Sequence, residues 1–139
     1  MYETSKEINP VLTHNITFEF SEVLQIPSHA VAAINLPKCS VVPGAGILWE
    51  NIEIKFIDLI INKKSITTKM IEWLDHQEEG SLAPIDINIK MGELTEWKLV
   101  NCRILSIDFG EYNYNKNEEI YITVVIEFDD CALYFNRDE

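Results

Sequence analysis

The residues able to perform acid–base or nucleophilic chemistry are scattered along this chain. Its three histidines, His14, His29 and His76, have no serine, cysteine or carboxylate at a spacing that specifies a nucleophile–base pair. The adjacent carboxylates Asp129–Asp130 and Asp138–Glu139 could pair for acid–base work, but nothing in the sequence places one of them in an apolar pocket that would raise its pKa. The sequence therefore predicts no catalytic residue and a protein that is not an enzyme.

The sequence contains no recognisable metal-binding or cofactor-binding pattern either. The acidic stretch 75–79 lacks the i, i+4 register or the fixed loop pattern of zinc and calcium sites. Cys39, Cys102 and Cys131 are odd in number, far apart in sequence and without C-x-x-C spacing, so neither a disulfide framework nor a zinc site is expected. The turn Pro43–Gly46 is not followed by the Gly-Lys-Ser of a phosphate-binding loop. No cofactor and no metal are predicted.

The charge balance is strongly acidic. The 139 residues include 23 Asp and Glu against 11 Lys and Arg, giving a formal net charge of −12. Ordinary binding of a nucleic-acid backbone requires clustered cations and is excluded as a function class. Two interpretations remain: a surface kept in solution by self-repulsion, or a repelling wall around passing DNA.

No segment approaches the roughly 18 apolar residues of a membrane span, and no signal peptide begins the chain, so we expect a soluble protein without a membrane anchor.

The elements that would position any functional side chain are mostly strands. Strands are predicted at His14–Ser21, Val31–Leu36, Asn51–Asn62, Ile85–Met91, around Trp97, at Val100–Asp108 and at Glu119–Asp129, with one helix at Ser65–His76 and loops at Val41–Gly46 and Gly110–Glu118. Residues 1–139 are predicted to form a single domain, of which residues 1–14 are an N-terminal arm. The predicted fold is mainly β (α+β), a β-sandwich or open barrel of about seven strands with one flanking helix.

The closing strand Ile120–Phe128 has two contrasting faces. Its even-numbered residues are all apolar, whereas Tyr121, Thr123 and Glu127 lie on the other face. A sheet with a half-polar outer face either meets water or continues into a neighbouring subunit. Asp58, within an apolar run, is predicted to cap or bond a buried backbone group, with the exposed end of the strand as the alternative. These patterns favour assembly as the function.

The order of the segments resembles a known family. The segments that carry the resemblance are Ala33–Pro37, Trp49–Asp58 and Ile71–Leu74, followed by Ile85–Met91, Trp97–Asn101, Gly110, Glu118–Glu119 and the closing strand that ends at Asp129. In this order they resemble the tail-tube proteins of contractile-tailed bacteriophages, which are related to the tube proteins of contractile injection systems and type VI secretion systems.

The resemblance implies a structural virion protein with a tail-tube-like fold. Such a subunit assembles with itself into hexameric rings, which stack into the conduit for DNA or effector and contact tail sheath, baseplate or tail terminator proteins. DNA passes without specific binding. The implied location is the virion tail, assembled in the host cytoplasm, and inter-ring contacts are expected from the segment Val41–Trp49.

Two alternatives stay open at this point. Within the same class, the chain would form a single ring as tube initiator, baseplate hub or tube terminator. In a different class, it would be a monomeric β-domain that binds a small ligand in a barrel mouth. The candidate lumen or subunit-interface residues are Glu53, Lys55, Thr123 and Glu127, which alternate with core positions on two strands.

Overall fold

The computed structural model describes residues 16–22, 24–80, 85–93, 95–111 and 119–135. The predicted N-terminal arm 1–14, and most of the predicted loop Gly110–Glu118, lie outside these ranges.

Eleven strands and one α-helix follow each other along the described residues. The strands are β1 (Ile16–Phe20), β2 (Val31–Ile34), β3 (Cys39–Val42), β4 (Gly46–Trp49), β5 (Ile52–Ile57), β6 (Ile60–Ile61), β7 (Lys64–Ser65), β8 (Ile85–Met91), β9 (Thr95–Asp108), β10 (Tyr121–Glu127) and β11 (Asp130–Phe135), and the helix is α1 (Ile66–Glu79). A short 3-10 turn, Ser28–Ala30, precedes β2. The predicted class, mainly β with one helix, is confirmed.

Seven strands join into one antiparallel sheet that bends around the core. Its order is β1-β8-β9-β10-β5-β2, and β11 pairs with β9 beside β10. Strand β9 belongs to both halves of this sheet, because its residues 95–100 pair with β8 and β11 whereas its residues 103–108 pair with β10. Asn101, with a φ of 56°, lies between the two parts. Shared strands of this kind build the corners of β-sandwiches and open barrels.

Alternating side chains fill the interior. Val124 on β10 and Phe56 on β5 are both 0% exposed, while Glu53 and Lys55, which alternate with the buried residues of β5, are exposed. Phe20 of β1 reaches across to Phe56, with ring centroids 5.8 Å apart, so the two ends of the sheet close over the same core. The predicted inward face of the closing strand is confirmed for Ile122, Val124 and Ile126, whereas Ile120, also predicted to face inward, precedes β10 and is 41% exposed.

The helix α1 covers one side of the core. Ser65 caps it, as predicted, because its hydroxyl accepts a hydrogen bond from the Thr68 amide at 3.1 Å. Its own residues Met70 and Trp73 are buried in the core. The predicted end at His76 is wrong by three residues, since the helix continues to Glu79 and stops at Gly80, whose φ of 70° is the left-handed conformation that ends helices.

The predicted long strand Asn51–Asn62 is interrupted in the middle. Strand β5 ends at Ile57, and the Asp58 carboxylate turns to the start of α1, where it accepts from the Thr67 amide at 3.2 Å and from the Thr67 hydroxyl at 2.9 Å. The structural role predicted for Asp58 is confirmed. The prediction that the far half of this strand is covered on both faces is wrong, because Ile60 in β6 is 80% exposed.

The predicted loop Val41–Gly46 is a hairpin. Val41–Val42 belong to β3 and Gly46 begins β4, so the connection is reduced to the turn residues 43–45. The β-branched residues of β3 and the apolar residues of β4 favour paired strands, and Gly44 and Gly46 adopt the positive φ values of 82° and 86° that the turn needs.

Two further predictions about the second half of the chain need correction. The strand around Trp97 and the strand Val100–Asp108 are one continuous element, β9, whose pairing with β8 shifts in register at Asn101 and continues to Cys102. The predicted closing strand ends at Glu127, and β11 then follows along the same edge of β9. The Asp129–Asp130 pair therefore marks a corner between two strands, with the Asp129 amide donating to the Val100 carbonyl at 2.9 Å.

Candidate assembly surfaces

The four predicted lumen or interface residues lie on one face of the sheet. Lys55 of β5 stands directly opposite Thr123 of β10, and Glu53 stands opposite Val125. Glu127 is two residues further along β10 on the same face. The structure thus brings together the side chains that the sequence placed by alternation alone.

Neighbours within the chain engage two of these residues. The Lys55 ammonium lies 4.7 Å from the centre of the Tyr121 ring, a cation–π contact. Glu127 accepts a hydrogen bond from the Arg103 guanidinium at 2.9 Å, so its carboxylate is held in place by β9. Thr123 lies between Lys55 on one neighbouring strand and Asp108 on the other. The resulting surface mixes both signs of charge.

Arg103 is the centre of a polar network at the bend of β9. Its guanidinium also donates to the Asp129 carboxylate at 2.9 Å and to the backbone carbonyl of Asn101 at 3.0 Å. The side-chain amide of Asn101 donates to the Asp129 carboxylate at 2.6 Å. The hydrogen bonds from Asn101 and from Arg103 hold the pKa of Asp129 below its ordinary value. Those from Asp129 and Glu127 raise the pKa of Arg103. This network fixes the corner where the sheet bends and the polar face ends.

The hairpin β3–β4 forms a second surface, apolar in character. Trp49 at its base packs against Trp97 in an edge-to-face contact with centroids 6.2 Å apart, and against Phe128 at 6.3 Å. Val41 and Ile47 form the cross-strand pair two positions nearer the tip of the hairpin, and their side chains lie on the same side of it as Trp49. Their exposures of 76% and 58% show that this face is covered at the base and bare toward the tip.

Strand β11 gives a third surface. It pairs with β9 along one edge, and no strand of the described residues pairs with its other edge. Tyr134 and Phe135 at its end are 54% and 60% exposed. They border a depression of about 410 Å³ that is also lined by the charged residues Lys90 and Glu96. This depression opens at the end of the sheet, away from the filled interior.

Beyond Cys102, one edge of β9 has no strand neighbour among the described residues. A side chain of helix α1 bonds to that edge. The Gln77 side chain accepts from the Ile104 amide at 2.8 Å and donates to the Ile104 carbonyl at 2.9 Å. The Gln77 side chain thus bonds to both the backbone amide and the backbone carbonyl of Ile104, as a paired strand would. This contact blocks extension of the sheet at that point.

The groups considered for chemistry are far apart in the described ranges. His29 lies in the 3-10 turn before β2, and His76 lies in the last turn of α1, where its ring is 3.7 Å from the Glu79 carboxylate. His14 lies outside the described residues. Within those same ranges, no three His, Cys, Asp or Glu side chains gather as a metal site. None of the helices described is long and apolar enough to cross a membrane.

Three solved structures have this arrangement of strands and helix. A chain of the sheath/tube terminator of an extracellular contractile injection system, PVC, has a TM-score of 0.68 at 12% identity, with 91% of this chain and 98% of that one covered. A chain of the PVC sheath-tube complex has a TM-score of 0.65 at 11% identity, covering 98% and 99%. A chain of the tube terminating cap of the anti-feeding prophage has a TM-score of 0.65 at 16% identity, covering 98% and 100%.

The chain has a tail-tube-like fold. The resemblance inferred from segment order is thereby confirmed at the level of the fold, and the three similar proteins come from structural assemblies. No protein-family model and no curated protein sequence matches the chain. At identities this low, a tail-tube-like fold leaves the role of the chain to be argued from its surfaces.

Proposed function

We propose that this tail-tube-like chain is a tube subunit of a phage tail or contractile injection system. Copies of it assemble into hexameric rings that stack into a conduit for DNA or effector. The observation that carries the proposal is the hairpin face of Val41 and Ile47, which is apolar and exposed, while the Trp49 ring at the base of the hairpin packs against Trp97. A second copy of the chain supplies the cover that the monomer lacks.

Unpaired sheet edges support the same conclusion. Strand β2 ends the strand order on one side, and β11 has one free edge among the described residues, whereas on the other side the Phe18 amide of β1 donates to the Ser28 hydroxyl at 2.9 Å. Free edges are sites for strand addition, and heterologous contacts of this kind close into rings when the rotation between copies allows it. The Gln77 contact blocks one further edge, which restricts where a neighbour can add.

The polar face is the proposed lumen or subunit-interface surface. Glu53, Lys55, Thr123 and Glu127 lie together on it, and of their charges that of Glu127 is paired with Arg103. A face of mixed charge on a chain of net charge −12 attracts DNA weakly, so DNA passes without specific binding. In this proposal the rest of the acidic surface repels DNA from other parts of the assembly.

The proposal includes the setting of the subunit. Residues 1–139 form one domain, with residues 1–14 as its arm, and the assembled tube contacts sheath, baseplate or terminator proteins. The particle is the virion tail or its injection-system counterpart, assembled in the host cytoplasm. A single-ring role as initiator, baseplate hub or terminator belongs to the same proposal, since the similar chains include a sheath/tube terminator and a tube terminating cap.

The small-ligand alternative lacks a suitable cavity in the described residues. Large side chains such as Trp73 and Phe56 fill the interior, and the 410 Å³ depression lies at the open end of the sheet with charged residues in its lining. Ligand pockets are mostly apolar and enclose their ligand. This arrangement favours assembly over ligand binding.

The test is the mass of the purified chain in solution across concentration, by light scattering, with negative-stain imaging of the large species. Six-fold rings or tubes are expected, and Ile47→Asp should give folded monomers because it places a charge in the apolar contact. Ile60→Asp is the matched control, an 80% exposed isoleucine outside the hairpin, and should assemble normally. A wild-type chain that stays monomeric at every concentration, with or without preformed tube as template, would contradict the proposal.

A further inference from the structure

Two of the three cysteines, distant in sequence, lie on segments that the aromatic contacts of Trp49 bring together at the base of the hairpin. Cys39 pairs with Trp49 across β3 and β4. In the next pair toward the base, the Glu50 amide donates to the Lys38 carbonyl at 2.9 Å, which makes Cys39 and Trp49 a pair without mutual hydrogen bonds. Side chains in such pairs are the closest of any cross-strand neighbours, so the Cys39 thiol lies beside the Trp49 ring.

The ring of Trp49 leads directly to the second cysteine. It contacts Trp97 of β9 and Phe128, the residue three positions before Cys131. Cys131 stands opposite Leu99, on the same face of the sheet as Trp97. The hairpin base therefore lies over the part of the sheet that carries the Cys131 thiol.

The electrostatics of Cys131 agree with this placement. Burial raises the pKa of the Cys131 thiol to about 11, and the charges of Asp130 and of the Cys39 thiolate add to the rise. Cys102 differs, since it is 3% exposed and burial raises its pKa to about 12.

We propose that Cys39 and Cys131 form a reversible disulfide that fastens the β3–β4 hairpin to β11 in oxidising surroundings, while Cys102 stays reduced. The site is independent of the tube-subunit role, because it follows from the placement of two thiols within one chain. The disulfide would link the apolar hairpin, which is otherwise held by aromatic packing at its base, covalently to the main sheet.

The reaction needs a small disulfide such as oxidised glutathione. The exposed Cys39, as its thiolate, attacks one glutathione sulfur, and the other glutathione leaves as a thiolate that takes up a proton. The Cys131 thiolate then attacks the Cys39 sulfur, and the second glutathione leaves in the same way. Two protein thiols are oxidised to one disulfide, and one glutathione disulfide is reduced to two thiols.

The pH dependence of closure follows from the second step. Because the pKa of Cys131 is about 11, its thiolate fraction below that pH rises about tenfold for each pH unit. Resolution of the mixed disulfide should therefore accelerate from pH 7 to pH 9, while attack by Cys39 is already favoured by its exposure.

The experiment treats the full chain with oxidised glutathione and maps the products by mass spectrometry of unreduced peptides. The expected product is an intramolecular Cys39–Cys131 link, with a mass lower by two hydrogens and one free thiol left at Cys102. Cys131→Ser should stop at a glutathione adduct on Cys39, whereas Cys102→Ala should still close. A wild-type product that keeps glutathione on Cys39 at pH 9, links two chains, or pairs either cysteine with Cys102 would overturn the proposal.

Discussion

The replacement Val124→Asp tests whether the even-numbered face of β10 is the core. Val124 is 0% exposed, so the change loses about 2 kcal/mol of apolar burial. A carboxyl there must also be held neutral at pH 7, about three units above its ordinary pKa, at a cost of about 4 kcal/mol. The total of about 6 kcal/mol is comparable to the whole stability of a small domain, and the variant should be largely unfolded at pH 7.

The neighbouring change Thr123→Lys is the control on the opposite face. The new ammonium would stand between Lys55, which repels it, and Asp108, which attracts it. Cross-strand charge pairs are each worth about 0.2–1 kcal/mol, so the two effects largely cancel in the free energy of unfolding. This variant should fold normally and, in the proposed function, impair assembly or DNA passage.

Far-UV circular dichroism and urea unfolding at pH 7 measure both variants against the wild type. The expected result is loss of the cooperative transition for Val124→Asp and an unfolding midpoint close to wild type for Thr123→Lys. Equal loss of stability in the two variants, or a stable Val124→Asp chain, would show that the assignment of the two faces is mistaken.

Two other contacts give separate predictions, both measured by urea unfolding. Gln77→Ala should lower the free energy of unfolding by about 1–3 kcal/mol because it leaves a strand amide and carbonyl without their partner, and an unchanged value would mean that water replaces the amide without loss. Gly110→Ala should destabilise far more than Gly44→Ala. Both glycines have positive φ, but an added methyl group at Gly110 would collide with the Tyr121 carbonyl, whereas the space at Gly44 is open. Similar losses in the two variants would refute the collision.

Local patterns in the sequence were sufficient for much of this fold. The alternation of Ile85–Met91 predicted β8 with its correct bounds, and Ser65 predicted the start of α1, because both signals depend on neighbours along the chain. The four predicted surface residues lie on one face for the same reason. Whether that face meets a lumen or a subunit stays a prediction, since alternation does not identify the surroundings.

The errors arose where distant contacts decide the local structure. Nothing near Val41 in the sequence shows that Trp49 will anchor a hairpin against Trp97, so a glycine-containing segment was expected to be a loop. Strand β11 was missed because it is stabilised by pairing with the first half of β9, a partner about 35 residues earlier in the chain. The aromatic contacts that bring the segments of Cys39 and Cys131 together are likewise invisible to a comparison of sequence spacings.

The shared strand β9 has a consequence for how the domain loses its structure. Because β9 supplies hydrogen bonds to β8, β10 and β11 at once, neither half of the sheet can separate without removing a strand from the other. Partial opening of the domain therefore exposes core on both sides of the bend, which penalises intermediates and favours all-or-none unfolding. A domain built this way yields as a unit under load, since neither half of its sheet is stable without the other.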